Sequence, residues 1–431
     1  MLYDNLSVNS KGHLAIAGID ACDLAAEFGT PLYVLDEDRV RSNCATYMRA
    51  VRDYFPEGSC PLFASKALSF KGIYPIIHSE GMGADVVSAG EIATALAAGF
   101  PADQLFFHGS NKTDEEIAYG VEQGVGCFVV DNANELEVLD REARARSKTQ
   151  NILLRITVGL DPHTLAAINT GRVDSQFGVP IETGQALRFV ERALGTPGVK
   201  VLGFHSHIGS QIFEPDSFCD QVDRLLSFAC DVREALGYVA EIFNLGGGFG
   251  VRYVEEDSKV DIAANIRAIA DHLRTGCTSH DYPMPRILLE PGRSIVADAG
   301  TTLYTAGGTK TIEGYRSYVM VDGGMTDNPR YALYKSAYTL INASRAADAA
   351  DFACTVAGRC CESGDRIAED IRIAQPNRGD IIAVLTTGAY NFAMSSNYNR
   401  VMRPALVILH DGSARLAVRR QTIDDLLALE Q

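Results

Sequence analysis

No stretch of the 431 residues stays apolar for the ~18 positions that a membrane span needs. The opening segment, Met1 to Asp20, has no apolar core flanked by basic residues, so no secretory signal is expected. The ten cysteines are scattered and form no CxxC pair. A cytosolic protein with reduced thiols follows, most of them small buried hydrophobes. Positive charge is also short: 39 Lys and Arg stand against 55 Asp and Glu, a formal net charge of −16. An acidic surface repels phosphate backbones, which removes nucleic acid as a partner. It also repels an anionic substrate weakly, so such a substrate must be met by local Arg or Lys. There is no tandem repeat, low-complexity tract or flexible linker. What is present is an ordinary globular composition, 46% hydrophobic and 22% charged. The length exceeds one ordinary domain and suggests a large domain with a smaller one.

From about residue 60 short apolar runs alternate with helical patterns. The runs are Pro61–Ser65, Ala84–Val87, Leu105–His108, Cys127–Val130, Ile152–Ile156, Val201–His205, Ile242–Leu245 and Arg286–Leu289. Each is short, apolar and often β-branched, as a buried parallel strand should be. Segments such as Ala89–Ala98, Asp114–Gln123, Ala133–Arg144 and Ser217–Leu236 carry apolar residues at helical spacing. Eight strand–helix units in ~230 residues predict a closed (β/α)8 barrel, class α/β. A further amphipathic helix, Arg39–Tyr54, precedes it. From about Ser294 the texture becomes strand-like, in Tyr315–Val321, Ala353–Val356, Asp380–Leu385, Ala405–His410 and Ala414–Arg419. The expected organisation is a segment 1–35 pairing with the β domain, a cofactor-binding barrel 36–290, and a C-terminal β-rich domain 291–431.

Barrel enzymes build their sites at the C-terminal ends of the strands. Lys66 follows the first strand, and the second offers the polar residues of the Asp85 region, with Ser88 close behind. Later strands offer His108, Asp131 and Arg155. The sixth gives His205, Ser206 and His207, then Gly209, Ser210 and Gln211. The seventh gives Gly246, Gly247, Gly248, Phe249 and Gly250. The eighth gives Glu290, Pro291, Gly292 and Arg293. Such convergence of polar and glycine-rich groups marks a site.

Three consecutive glycines expose backbone N–H groups and allow close approach of a ligand. Barrel phosphate sites commonly use the loops after strands seven and eight. A flexible turn is the plain alternative for a glycine run elsewhere, and a dinucleotide fold lacks its early strand–glycine–helix unit here. Lys66 at a strand end could be a solvated terminus. Inside a barrel mouth with a phosphate cradle it becomes a Schiff-base candidate, because an amine near low-dielectric walls loses its proton more easily. Glu290 could cap the turn before Pro291, or keep a proton on the ring nitrogen of pyridoxal phosphate. His205 and His207 form an HxH pair on one side of an extended strand. A metal-dependent hydrolase is the rival reading, but it needs further His and carboxylate ligands, and the remaining barrel histidines show no ligand-spaced cluster, so no metal is expected. A flat imidazole stacking on a cofactor ring suits His207 better.

FASKA, HSHIGSQ, NLGGGFG, EPGRS, GRCCESGD and GAYNFAMSSNYN occur in this order. Together they resemble the signatures of the alanine-racemase-like pyridoxal-phosphate decarboxylases, the diaminopimelate decarboxylase family in particular, from about Leu32 to Leu409. The resemblance implies a barrel followed by a β domain, and pyridoxal 5'-phosphate as cofactor. It implies that Lys66 holds the cofactor as a Schiff base and that His207 stacks on its ring. Asp85 joins the cofactor site. Ser210, the Gly246–Gly248 loop and Arg293 hold the phosphate, Pro291 and Gly292 join the cofactor site, Glu290 pairs with the ring nitrogen, and Tyr390 contacts cofactor and substrate. It further implies a homodimer with sites shared across the interface. There the partner would supply Cys361, which returns a proton after carbon dioxide leaves, and Glu362, which receives the substrate's distal ammonium. Arg293, Arg330 and Tyr334, the last two in GGMTDNPRYALY, would clamp the distal carboxylate. The implied reaction is decarboxylation of meso-2,6-diaminopimelate to L-lysine. The alternatives are a decarboxylase of ornithine, arginine or carboxynorspermidine, or a catalytically silent cofactor-binding protein. The sequence departs from the family pattern at Gln176, where Lys is usual, and at Thr326, where Asn is common.

Overall fold

The computed structural model describes residues 1–160 and 174–431. Eight short strands form its centre: β1 (Cys60–Ala64), β2 (Gly83–Val86), β3 (Leu105–Phe107), β4 (Cys127–Val130), β5 (Gln150–Thr157), β6 (Val199–His205), β7 (Ile242–Asn244) and β8 (Arg286–Leu289). Each pairs in parallel with the next, and β8 returns to β1 through Leu288↔Cys60 and Leu289↔Pro61. The sheet is therefore closed. Nearly every residue of these strands is buried, which explains runs that read as continuous rather than alternating. Leu62, Cys127, Val129, Leu153, Ile242 and Leu288 come from five strands and pack as one cluster. Only the interior of a closed barrel brings such residues together.

The connecting helices begin where the sequence supplies caps. Ser88, Thr113 and Asn132 each accept from the backbone N–H three residues on, and Thr113 with Glu116 forms a capping box. Gly124, left-handed at φ 78°, ends the helix Asp114–Gln123. Such short, definite turns aim each strand's C-terminal end at one rim.

The chain divides into two compact units. The barrel unit comprises Asn43–Gly250 and Lys259–Gly292. The β-rich unit comprises Met1–Ser42, Val251–Ser258 and Arg293–Gln431. Its sheet runs in the order Arg366–Ile373, Phe352–Ala357, Arg316–Val321, Gly300–Ile312, Leu32–Asp36, Ala405–His410, Ser413–Val418, with Ile381–Leu385 also on Gly300–Ile312. The strand Leu32–Asp36 pairs antiparallel with Gly300–Ile312 and parallel with Ala405–His410. The segment before it carries three tiny antiparallel strands and the helix Ala21–Phe28, which pack Leu14, Ile16 and Leu24 against Leu32, Leu303 and Val407. Strands of two or three residues are too short for any alternation to announce them. No described helix is long and apolar enough to cross a membrane.

Candidate active site

In the barrel unit, Lys66 stands in a single 3-10 turn, Ser65–Ala67, directly after β1. Ser65 and Ala67 are buried and Lys66 is exposed. The last strand closes on this turn. Ala64 N–H donates to Pro291 O over 3.1 Å. A Cβ on Gly292 would lie 2.9 Å from Ala64 Cβ and 3.0 Å from Ala67 Cβ, so a side chain there would wedge the EPG segment off the lysine turn.

The glycine loop performs the same service between β6, β7 and β8. Asn244, at the end of β7, accepts from Gly246 N–H at 2.9 Å, and Glu290 N–H donates to Gly246 O at 2.8 Å. A Cβ on Gly246 (φ 68°) would meet His207 Nδ1 at 2.7 Å, and one on Gly247 would meet Glu290 O at 2.1 Å. One on Gly248 (φ 122°) would meet Gly209 O at 2.4 Å. The Gly209–Ser210–Gln211 segment is tied in by Ile212 N–H donating to Gly248 O at 2.9 Å. Among the described residues, the amides of Gly247 and Gly248 donate to no other group of the chain. Two adjacent undirected N–H donors in a tight loop suit an anion.

Glu290 is the best-connected member. Asn244 Nδ2 donates to its Oε1 at 2.6 Å, and His205 Nε2 lies 3.2 Å from Oε2. His108 Nε2 lies 2.8 Å from Oε1, close but off the line of a good hydrogen bond. The same His108 nitrogen is 4.0 Å from Asp85 Oδ1, and the His108 and His205 rings meet edge-to-face at 4.9 Å. Burial pushes the Glu290 carboxyl up, but His108 and His205 together hold it well below the usual carboxylate range. Burial pushes His205 down to about 4, so it is neutral and serves as a donor. Burial also raises Asp85, opposed by His108; its Oδ1 is buried and accepts no hydrogen bond among the described residues. His207 is held well below its ordinary value by burial and by the Lys66 ammonium, which makes it a neutral flat ring. Arg155 sits 3.7 Å from Asp131 and faces the Phe177 ring at 4.5 Å.

The HxH pair splits. His205 joins His108 and Glu290, with ligand atoms within 4.8 Å of one another, whereas His207 joins no group of metal-ligand geometry among the described residues.

The β-rich unit holds a second group. Arg293 Nη1 donates to Tyr253 Oη at 2.8 Å, and its guanidinium faces the Tyr390 ring at 4.8 Å. Arg330 opens the short helix Arg330–Tyr334, is buried, and donates from Nη1 to Tyr338 Oη at 2.7 Å. It faces the Tyr253 ring at 4.9 Å. Tyr334 ends the same helix and is half-buried; among the described residues the phenol bonded to Arg330 is that of Tyr338. Tyr390 adopts φ 63°, a left-handed conformation unusual for an aromatic residue and one often found at functional sites. Cys361 and Glu362 are exposed in the loop after the strand Phe352–Ala357; Cys361 N–H donates to Asn399 Oδ1 at 2.7 Å.

Sequence reasoning gave no role to His108 and passed over Asn244, Tyr253 and Tyr338. The strand-end rule places His108 at the rim and could have found Asn244 as well, since they stand just after β3 and at the last residue of β7. Tyr253 and Tyr338 lie in loops with no such marker.

Residues 39–297 match the family model described as "Pyridoxal-dependent decarboxylase, pyridoxal binding domain". The diaminopimelate decarboxylase of Bacillus subtilis (strain 168) is 41% identical over 429 residues, covering 100% of this chain and 98% of that protein. That of Halalkalibacterium halodurans is 43% identical over 423 residues, covering 98% and 96%. The crystal structure of diaminopimelate decarboxylase from M. jannaschii in co-complex with L-lysine is similar with a TM-score of 0.91 and 32% identity, covering 99% of this chain and 98% of that one.

Proposed function

The chain belongs to the pyridoxal-dependent decarboxylases and, among them, to the diaminopimelate decarboxylases, and on that premise we propose how its residues divide the work. The enzyme decarboxylates meso-2,6-diaminopimelate to L-lysine and carbon dioxide, with pyridoxal 5'-phosphate as cofactor. One carbon–carbon bond breaks, one proton is taken up at the α-carbon, and no redox change occurs.

The residues fit that cofactor. Lys66 offers an amine at a strand end, the Gly247 and Gly248 amides offer an anion cradle, and neutral His207 offers a flat ring. The observation that carries the reading is Glu290, a buried carboxylate kept ionised by His108 and His205. A carboxylate has about four acceptor positions. Two are taken by Asn244 and His205, with His108 close to Oε1 but misaligned, which leaves room for a further N–H donor. When bound, pyridoxal phosphate supplies an aldehyde that condenses with an amine and a ring that accepts the electron pair left by carbon dioxide.

In this reading Lys66 Nζ is the attachment point, and Asp85 faces the ammonium side of the site. Ser210, Gly247, Gly248, Gly292 and Arg293 bind phosphate, with Pro291 fixing the turn between Glu290 and Gly292. Glu290 holds a proton on the ring nitrogen. Arg293 and Arg330, with Tyr334 and Tyr390 beside them, orient the substrate through its carboxylates. An enzyme for simple diamines has no use for a buried cation such as Arg330 at the substrate. Cys361 Sγ returns the proton to the α-carbon and Glu362 receives the distal ammonium. Both are exposed on their own chain, which supports a homodimer in which a second copy covers them. The test mixes two inactive variants, Lys66→Ala and Cys361→Ala. Activity should return as subunits exchange, because some sites then regain both residues. Exchange without recovery would refute the shared site.

A further inference from the structure

Tyr253 is the element that joins the two arginines. Its Oη accepts from Arg293 Nη1 at 2.8 Å, while its ring faces Arg330 at 4.9 Å. It also stands edge-to-face against Tyr338, at 5.4 Å and 87°, and Tyr338 in turn accepts from Arg330. The residue is buried, and its backbone is fixed on both sides. Tyr253 N–H donates to Asp257 Oδ2 at 2.8 Å, and Tyr253 O accepts from Thr339 Oγ1 at 2.9 Å. Asn391, next to Tyr390, ties Tyr338 down at 3.3 Å.

Two guanidinium groups held near one neutral ring repel each other and are long, flexible side chains. Holding them with carboxylates would neutralise them. Phenol oxygens and π faces orient them without adding a negative charge of their own. No carboxylate of the described residues pairs with Arg330. We propose that Tyr253 is a positioning residue that fixes the spacing of the Arg293 and Arg330 guanidinium groups, and so sets the enzyme's preference for a substrate with a second carboxylate. The proposal rests on the reading of those arginines as the grips for substrate carboxylates. Preorganised groups bind without the cost of being ordered, so Tyr253 acts chiefly on substrate binding.

The experiment is a double-mutant cycle on the cofactor-loaded enzyme, with Tyr253→Phe, Tyr253→Leu, Arg330→Ala and the two double variants. Tyr253→Phe keeps the ring and loses the hydroxyl. It should lower kcat/KM for diaminopimelate on the order of tenfold, the scale of one hydrogen bond to a charged group, mostly through KM. Tyr253→Leu should lower it further. The visible absorbance of the bound cofactor should stay that of the parent in Tyr253→Phe. Because Tyr253 acts through the arginine pair, each double variant should lose little beyond Arg330→Ala alone. Losses that multiply across the cycle would overturn the proposal, as would a Tyr253→Phe variant with parental KM. If Arg330→Ala itself kept full turnover, the carboxylate reading would fall first, and the proposal with it.

Discussion

Glu290 in the barrel and Arg330 in the β-rich unit are both buried charges, and their surroundings differ in kind. Glu290 is ringed by hydrogen-bond donors: Asn244, His205 and the close His108. Arg330 is ringed by tyrosines, one hydroxyl and two aromatic faces. The reason lies in intrinsic acidity. A buried carboxylate takes up a proton unless donors oppose it, whereas a guanidinium stays charged in almost any setting. The first surrounding therefore sets a charge state and the second sets a geometry. Damage to the barrel group should be pH-dependent and felt by the cofactor. Damage to the arginine group should be pH-independent and felt by the substrate.

The largest loss should come from Lys66→Ala, which removes the attachment point. We expect kcat to fall ~10³-fold or more, as when a covalent catalyst is deleted. Borohydride reduction of the parent should place the cofactor on the peptide containing Lys66; recovery on another lysine would break the assignment. Next is Glu290→Gln, an isosteric loss of charge, expected to cost ~10²-fold or more in kcat with the fold intact. Arg330→Ala should cut kcat/KM for diaminopimelate by ~10²-fold, with Arg330→Lys restoring part and the cofactor spectrum unchanged. These two variants sharpen the comparison, since only the first should alter the cofactor's absorbance.

His108→Gln tests the contrast in pH. In the parent, Glu290 is held well below the usual carboxylate range, so its contribution is present above its unfolded value and lost only as pH falls through the depressed one. Without the imidazole between Asp85 and Glu290 that loss should begin at higher pH. Cofactor affinity, followed by absorbance titration, should weaken about tenfold, the scale of one lost contact to a charged group, and worsen as pH is lowered. An affinity that is weakened equally at every pH would mean that His108 only packs.

The smallest effect is on stability. Burial pushes Asp327 in the β-rich unit up to about 7. A raised carboxyl contributes stability below its unfolded value, about 4, and loses it as pH rises to about 7. Asp327→Asn should therefore narrow the difference in melting temperature between pH 5 and pH 8. A wider difference would contradict the sign.

Much of the barrel was legible because a buried parallel strand leaves a mark of its own, and each mark ended within about two residues of the observed strand. The position of the candidate site at its rim was legible for the same reason: Lys66, Glu290 and the glycines stand at strand ends, where barrels carry function. The long strand Gly300–Ile312 was not, since its glycines and threonines show no apolar alternation. His108 was visible but not interpretable, because its partner is 182 positions away in sequence (290 − 108). Tyr253 and Tyr338 were invisible, because aromatic residues that orient an arginine carry no spacing rule. The tertiary fold alone brings them to it.

The most direct test of the account supplies purified, cofactor-loaded protein with meso-2,6-diaminopimelate, L-ornithine, L-arginine, L-lysine and carboxynorspermidine in turn, and measures released carbon dioxide against amine product. Diaminopimelate should give carbon dioxide and L-lysine in equal amounts. The substrates without the second carboxylate should run ~10³-fold slower or worse, the discrimination expected when a buried polar group loses its partner. Release from ornithine at a comparable rate, or none from diaminopimelate by protein that holds its cofactor, would contradict it.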